Sequence, residues 1–448
     1  MADRLVVVGG DAGGMAAASQ ARRLRPDLEI VALEKGRWTS YSACGIPYLV
    51  GGEVEGIEAL VVRDPQTFRD KYRIDVRTGH EAMAIDLDAR RLEVRDHGHG
   101  RTFWLGFDTL HLGLGARPLR PDLPGVDGSQ VRGVQTLEDA AHLLERARAT
   151  RPGQVVVVGG GYIGLEMAEA FLRRGAAVTV VEQAPAVMRT LDPDMGALVG
   201  DAMQRMGIDV RTGVAVTGFT PGAVHTAGGD LPAELVVLGL GVVPNSALAR
   251  DAGIHTGDRG AISVDPRQRT SAEGVWAAGD CCESFHLMAR RPVHVALGTV
   301  ANKQGRVAGI NLGGGYATFP GVVGTAVTKV CATEVARTGL NEVEARQAGL
   351  GYEAVRITSS TRAGYYPGAG EIVVKMLAER RSGRLLGAQL VGAEGAAKRI
   401  DVVATALTAG MTVDQMTSLD LSYAPPFSPV WDPVLVAARK AADAVARG

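Results

Sequence analysis

Two stretches of this chain repeat one pattern of apolar and polar positions. The first runs from Leu5 through three valines into Gly9 and Gly10, continues as a helix-like segment to Arg23, and closes on Ile30-Val-Ala-Leu-Glu34. The second runs from Gln154 through four valines into Gly159, Gly160 and Gly161, continues to Arg174, and closes on Ala177-Val-Thr-Val-Val-Glu182. Unbroken apolar runs of this length suit strands covered on both faces, which is the habit of parallel sheets. Strand, glycine turn, helix and a second strand ending in an acid make a βαβ unit, and the pattern predicts two of them.

Between the units, residues 91–94 and 103–112 alternate or run apolar and predict strands. Residues 118–128 hold three prolines and two glycines and predict a linker. Leu137 to Arg148 predicts a helix leading into the second unit. Residues 276–280 read as a short strand ending in a turn. Beyond about Val322 the character changes: strand-like runs at 371–376 and 385–391 precede helix-like runs at 396–409 and 434–444. The expected fold is α/β. It has one Rossmann-like dinucleotide-binding domain on residues 1–117 and 245–321, a second on 118–244, and a C-terminal α+β domain on 322–448.

The charge balance narrows the classes of function. A net charge of −1 leaves no electrostatic footprint for nucleic acid or an anionic membrane. Apolar runs such as 235–243 fall short of the roughly 18 residues that suggest a membrane span. The apolar run at the start is too short for a secretory signal. Cys44, Cys281, Cys282 and Cys331 make neither a disulfide framework nor a paired zinc spacing, so no metal is expected and a cytoplasmic, reducing location fits.

The two glycine turns carry the first chemistry. A diphosphate binds where backbone N–H groups at a helix N-terminus point outward and no side chain blocks approach. An acid ending the next strand then bonds the ribose hydroxyls, typically ~20 residues on. Gly159, Gly161 and Gly164 fit G-x-G-x-x-G in full, with Glu182 as the acid. Gln183 and Ala184 follow it, with no cation to receive a 2′-phosphate, which favours NADH and leaves NADPH as the alternative. In the first turn, Asp11 stands where the middle glycine is expected, between Gly9 and Gly14, with Glu34 as the acid. An aspartate there repels a diphosphate unless it turns away. Two dinucleotides on one chain imply electron relay between them.

The turn at Gly9, Phe107-Asp-Thr-Leu110 leading to Gly115-Ala-Arg-Pro118, the turn at Gly159, and Thr270-Ser to Ala278-Gly-Asp280 occur in that order. Over essentially its whole length the chain resembles the pyridine nucleotide–disulfide oxidoreductases. The resemblance implies FAD on the first unit, at Gly9, Gly14, Glu34, Lys35, Ala116, Asp280 and Thr299. It implies a nicotinamide cofactor on the second, at Gly159, Gly161, Tyr162, Ile163, Gly164, Glu182 and Gly241, with Tyr162 as a gate over the flavin. The C-terminal domain then pairs two chains as a homodimer.

Cys44 sets the subfamily. Members of the glutathione and lipoamide type carry a C-x-x-x-x-C pair, whereas Ser40-Tyr-Ser-Ala-Cys44-Gly-Ile-Pro-Tyr-Leu has one cysteine. The chain is similar to the single-cysteine branch: coenzyme A-disulfide reductases, NADH oxidases and peroxidases, and coenzyme A-persulfide or polysulfide reductases. A lone cysteine forms a sulfenic acid or a mixed disulfide, and its thiolate is the attacking form, so a lowered pKa is expected. Cys281, Cys282 and Cys331 are expected to be buried small side chains. The resemblance makes Tyr423, reaching from the other subunit, and Tyr365 the proton donors to a leaving thiolate. It places Gln20, Arg23, Ser40, Asn302 and Lys303 on coenzyme A, with Arg306 as a further cation, and allows coenzyme A to be retained by the protein. Ala43 and Trp431 depart from the asparagine and lysine found in some reductases.

The leading expectation is a flavin-dependent NAD(P)H reductase of coenzyme A disulfide. The alternatives are an oxidase or peroxidase cycling a Cys44 sulfenic acid, a persulfide or polysulfide reductase, and a non-enzymatic flavin electron-transfer or redox-sensing partner protein. Peroxidases of the branch carry a histidine near the first glycine turn, and this chain has none there.

Overall fold

The computed structural model describes residues 3–149, 153–257 and 259–447. Two parallel five-stranded sheets carry the two units. In the first, Arg4–Val8 lies between Glu29–Glu34 and Thr109–Leu112, with Asp75–Thr78 and Val275–Ala277 at the edges. In the second, Gln154–Val158 lies between Ala177–Glu182 and Leu235–Leu238, with Asp209–Thr212 and Val131–Arg132 at the edges. The valines of both central strands are buried, as unbroken apolar runs require when helices cover both faces. The third sheet is antiparallel and runs Ala326–Val330, Thr333–Gly339, Leu385–Gly392, Glu371–Glu379, Tyr352–Ser360. Among the described residues no helix is long and apolar enough to cross a membrane.

The chain passes from the first sheet to the second and back along one short antiparallel ladder, Ala116–Pro118 against Val242–Pro244. Residues 103–112, strand-like in the sequence, divide between two strands. Arg101–Gly106 joins an antiparallel hairpin sheet and Thr109–Leu112 joins the parallel one. Phe107 and Asp108 turn the chain between them, tied back by Phe107 N–H to Arg90 O and Asp108 N–H to Arg4 O. The helix expected at 396–409 opens as a 3-10 turn over Ala397–Arg399 before Ile400–Thr408.

One packing contact shapes the site. Helix Ala12–Leu24 crosses helix Gly298–Leu312 so closely that a Cβ on Gly305 would stand 2.4 Å from Gly13 O, and one on Gly309 2.4 Å from Ala17 O. Glycine at both positions lets the backbones meet. The short helix Ile46–Gly51, which follows Cys44, packs its Ile46, Leu49 and Val50 into a core shared with Leu165 and Phe171 of the second unit and Val330 and Val373 of the third sheet. The second unit and the third sheet therefore both help to fix the cysteine's position.

Candidate active site

The two glycine turns are near copies. Gly9 has φ +112° and Gly159 φ +104°, a region closed to most side chains. A Cβ on Gly14 would lie 2.0 Å from Gly9 O, and one on Gly164 2.0 Å from Gly159 O, so helix and strand meet only through glycine. Each terminal acid straps its own turn. Glu34 accepts the N–H of Gly10 at 2.8 Å and of Gly36 at 2.7 Å, and Glu182 accepts those of Gly160 at 2.9 Å and Ala184 at 2.8 Å. Each carboxylate oxygen keeps a lone pair for a ribose hydroxyl.

Asp11 caps the first helix without bonding its N-terminal amides. It turns instead to the cysteine loop and accepts the Tyr41 N–H at 3.2 Å. Desolvation raises its carboxyl to about 6, and Glu34 and Asp280 add to the rise. Asp280 follows strand Val275–Ala277, and the preceding Ala278 O would meet a Cβ on Gly13 at 2.8 Å. The Asp280 carboxyl is pushed up by burial, and its Oδ1 has no partner among the described residues. A buried orphan acceptor beside an open glycine turn and a free helix N-terminus fits a group bearing hydroxyls and a diphosphate, as the ribityl diphosphate of FAD does. Lys35 pairs with Glu81 at 2.7 Å, Ala116 opens the interdomain ladder, and Thr299 is exposed in the first turn of helix Gly298–Leu312.

In the second turn, Gly161 caps helix Tyr162–Arg173, with Ile163 in its first turn. The Tyr162 hydroxyl lies 3.5 Å from Thr190 Oγ1, and burial raises its pKa. Thr190 O in turn accepts from Arg337 and Asn341, which ties the tyrosine to the third sheet. Gly241 has φ +89° and accepts the Leu119 N–H.

Cys44 is exposed, in the 3-10 turn Ala43–Gly45. Its pKa is raised on balance, where the sequence led us to expect a lowered one. Desolvation pushes the thiol up, and the carboxylates of Glu166 and Asp280 push it further. Cys281 and Cys282 are buried with sulfurs 3.6 Å apart. Cys331, expected to be buried, is only partly so, because it sits in a tight hairpin turn at φ +54°.

Five residues far apart in sequence meet at one cavity of about 330 Å³. Gln20, Arg23, Ser40, Asn302 and Lys303 line it, together with Arg63 and Arg306. Its remaining lining is Ala12, Met15, Ala16 and Ser19, so four cations face it and no carboxylate does. Arg63 had no signal in the sequence. It arrives because residues 60–63 pair back on the cysteine loop through Ser42 N–H to Leu60 O and Val62 N–H to Ser40 O. Tyr365 and Tyr423 lie elsewhere within the chain. Tyr365 is raised first by desolvation and then by its hydrogen bond with Tyr423, and neither is among the groups acting on Cys44. Both are exposed, as are Tyr366, Phe427 (74 % exposed), Val430 (68 %) and Trp431, and large apolar side chains left open to solvent are the raw material of protein interfaces.

Residues 3–318 match the family profile described as pyridine nucleotide-disulphide oxidoreductase, and residues 325–433 match that family's dimerisation domain. The chain belongs to the pyridine nucleotide-disulphide oxidoreductases. As a member it is a flavin-dependent NAD(P)H oxidoreductase with a C-terminal dimerisation domain. It is 38 % identical over 448 residues to the NAD(P)H coenzyme A polysulfide/persulfide reductase of Pyrococcus horikoshii, covering 98 % of each chain. It is 31 % identical to the coenzyme A disulfide reductase of Staphylococcus epidermidis, covering 95 % of this chain and 97 % of that one. Among solved structures it is similar to a NAD-dependent persulfide reductase from A. fulgidus, with a TM-score of 0.96 and 40 % identity, over 98 % of this chain and 83 % of that one.

Proposed function

We propose that this oxidoreductase reduces a low-molecular-weight disulfide, coenzyme A disulfide above others, through a mixed disulfide at Cys44. The observation that carries the reading is the cavity beside the cysteine loop, with four cations, no acid and an apolar floor of Ala12, Met15 and Ala16. Coenzyme A brings a 3′-phosphate and a diphosphate for the cations and a long flexible arm for the floor.

Bound flavin supplies a two-electron carrier between reduced nicotinamide and sulfur. The first unit with Glu34 and Asp280 holds FAD, and the second with Glu182 and Gln183 holds NADH in preference to NADPH. The FAD domain spans 1–117 and 245–321, the nicotinamide domain 118–244 and the dimerisation domain 322–448, in a cytoplasmic homodimer. The Cys44 thiolate attacks one sulfur of the substrate, a new S–S bond forms as the old one breaks, and one coenzyme A thiolate leaves. Tyr423 of the partner subunit, with Tyr365 beside it, gives that thiolate its proton. A second reading takes coenzyme A persulfide as substrate. The name of the Pyrococcus relative favours it, and the same cavity serves it.

The test is NADH consumption with coenzyme A disulfide, coenzyme A persulfide, oxygen and peroxide, comparing the wild type with Cys44→Ser. Coenzyme A disulfide is expected to be fastest, with the rate falling at least a hundredfold in Cys44→Ser. Equal rates in the two proteins overturn the thiol mechanism, and a higher rate on oxygen or peroxide overturns the substrate.

A further inference from the structure

We propose that Asp11 is a positioning residue for Cys44, holding the cysteine loop to the first glycine turn through the Tyr41 amide and setting the charge beside the thiol. Two bonds stitch loop to turn, Ser40 N–H to Gly10 O at 2.9 Å and Tyr41 N–H to Asp11 Oδ1 at 3.2 Å. Ser40 between them sits at φ +48°, a strained conformation for a non-glycine residue that persists only where its surroundings hold it. On the far side, Ser42 N–H to Leu60 O and Val62 N–H to Ser40 O fix the same stretch. Asp11 thus stands where three surfaces meet: the glycine turn, the loop of Cys44, and the cation-lined cavity, to which the next residue, Ala12, contributes.

The groups around Asp11 make its charge consequential. Glu34 faces it from strand Glu29–Glu34, Asp280 from the loop after Val275–Ala277, and Tyr41 and Cys44 from the cysteine loop. Arg63, Lys303 and Arg306 lie across the adjoining cavity. No side-chain cation bonds the Asp11 carboxylate among the described residues; it accepts the Tyr41 amide at 3.2 Å, and the Ala12 backbone also favours its charged form. Asp11 is among the carboxylates that push the Cys44 thiol up. Tether and charge are separable. Asparagine keeps an acceptor oxygen for the Tyr41 N–H and loses the charge, whereas alanine loses both.

The test compares Asp11→Asn and Asp11→Ala in the FAD-loaded protein. Cys44 alkylation by iodoacetamide is followed against pH by peptide mass spectrometry, and kcat is taken per bound FAD. Asp11→Ala is expected to lose about tenfold in kcat with the KM for NADH unchanged, and Asp11→Asn to recover most of that loss. The half-alkylation pH is expected to fall in Asp11→Asn, since one of the negative charges acting on the thiol has gone. An Asp11→Asn as slow as Asp11→Ala overturns the tether, as does an Asp11→Ala with wild-type kcat. An unmoved alkylation profile overturns the charge effect. The inference rests on Cys44 as the working thiol, but alkylation is read without any disulfide substrate. A wrong substrate and a wrong role for Asp11 therefore give different results.

Discussion

Gly305 and Gly13 touch backbone to backbone, and a Cβ on Gly305 would lie 2.4 Å from Gly13 O and 2.9 Å from Ala16 Cβ. The contact brings Asn302, Lys303 and Arg306 opposite Gln20 and Arg23. Gly305→Ala must push the helices apart. It is expected to cost about 1–3 kcal/mol of stability, as overpacking does, and to raise the KM for coenzyme A disulfide more than that for NADH. Thermal melts and steady-state kinetics check both; an unchanged KM would show that the helix spacing does not shape the substrate site.

The four cations should act on phosphate and not on sulfur. A charge-assisted hydrogen bond is worth roughly 1.5 kcal/mol or more, about tenfold in affinity. The double variant Arg23→Ala, Lys303→Ala should raise the KM for coenzyme A disulfide at least tenfold and flatten its dependence on salt. Turnover of cystine, which has no phosphate, should stay within about twofold. Equal loss on both disulfides would count against the cavity as the nucleotide site.

His111 gives a pH dependence of stability. It is fully buried on strand Thr109–Leu112, and among the described residues neither ring nitrogen makes a well-formed hydrogen bond. Burial lowers its pKa from 6.5 to about 4, opposed only weakly by the Gly13 backbone. Above pH 6.5 neither folded nor unfolded chain protonates it. As pH falls from 6.5 towards 4, the unfolded chain takes a proton that the folded one refuses, so stability drops by about 3 kcal/mol across that window. His111→Leu should remove this slope and, by deleting an unpaired buried polar ring, stabilise the protein at neutral pH by about 1–3 kcal/mol. Denaturant melts of both proteins at pH 4.5 and 7 measure it, and parallel behaviour would refute it.

Nicotinamide preference should follow Glu182 and Gln183. Glu182 is strapped to Gly160 and Ala184 and cannot swing away from a 2′-phosphate. The wild type should prefer NADH over NADPH by about tenfold or more in kcat/KM, and Gln183→Arg should narrow the gap by supplying a phosphate partner. An NADPH preference in the wild type would contradict the expected site.

The parts legible in the sequence were those with local patterns. Valine runs and glycine turns announced both parallel sheets because a strand buried on both faces must be apolar throughout. The cavity-lining set Gln20, Arg23, Ser40, Asn302 and Lys303 is assembled in the sequence only by the family resemblance, since nothing local brings residue 23 beside residue 303; two glycines in a helix crossing do that. Arg63 was missed because long-range backbone pairing delivers it. The break at Phe107 and Asp108 was hidden by apolar residues on both sides of it. Asp11 breaks the glycine pattern of its turn, but its turn towards Tyr41 depends on a loop conformation that no periodicity encodes. The rise in the Cys44 pKa comes first from desolvation in the folded loop and then from Glu166 and Asp280, which are distant in sequence.

The ladder of Ala116–Pro118 with Val242–Pro244 has a consequence for biosynthesis. The whole second sheet is spliced into the first, whose edge strand Val275–Ala277 is translated only after that insertion is complete. A nascent chain stopped anywhere before that strand holds a first sheet with a raw edge and no Asp280, however well its N-terminal half has folded. Strand Thr109–Leu112 therefore waits for its last neighbour until the whole insertion has been made, and fragments cut between the sheets should be caught by proteases long before the full-length chain is.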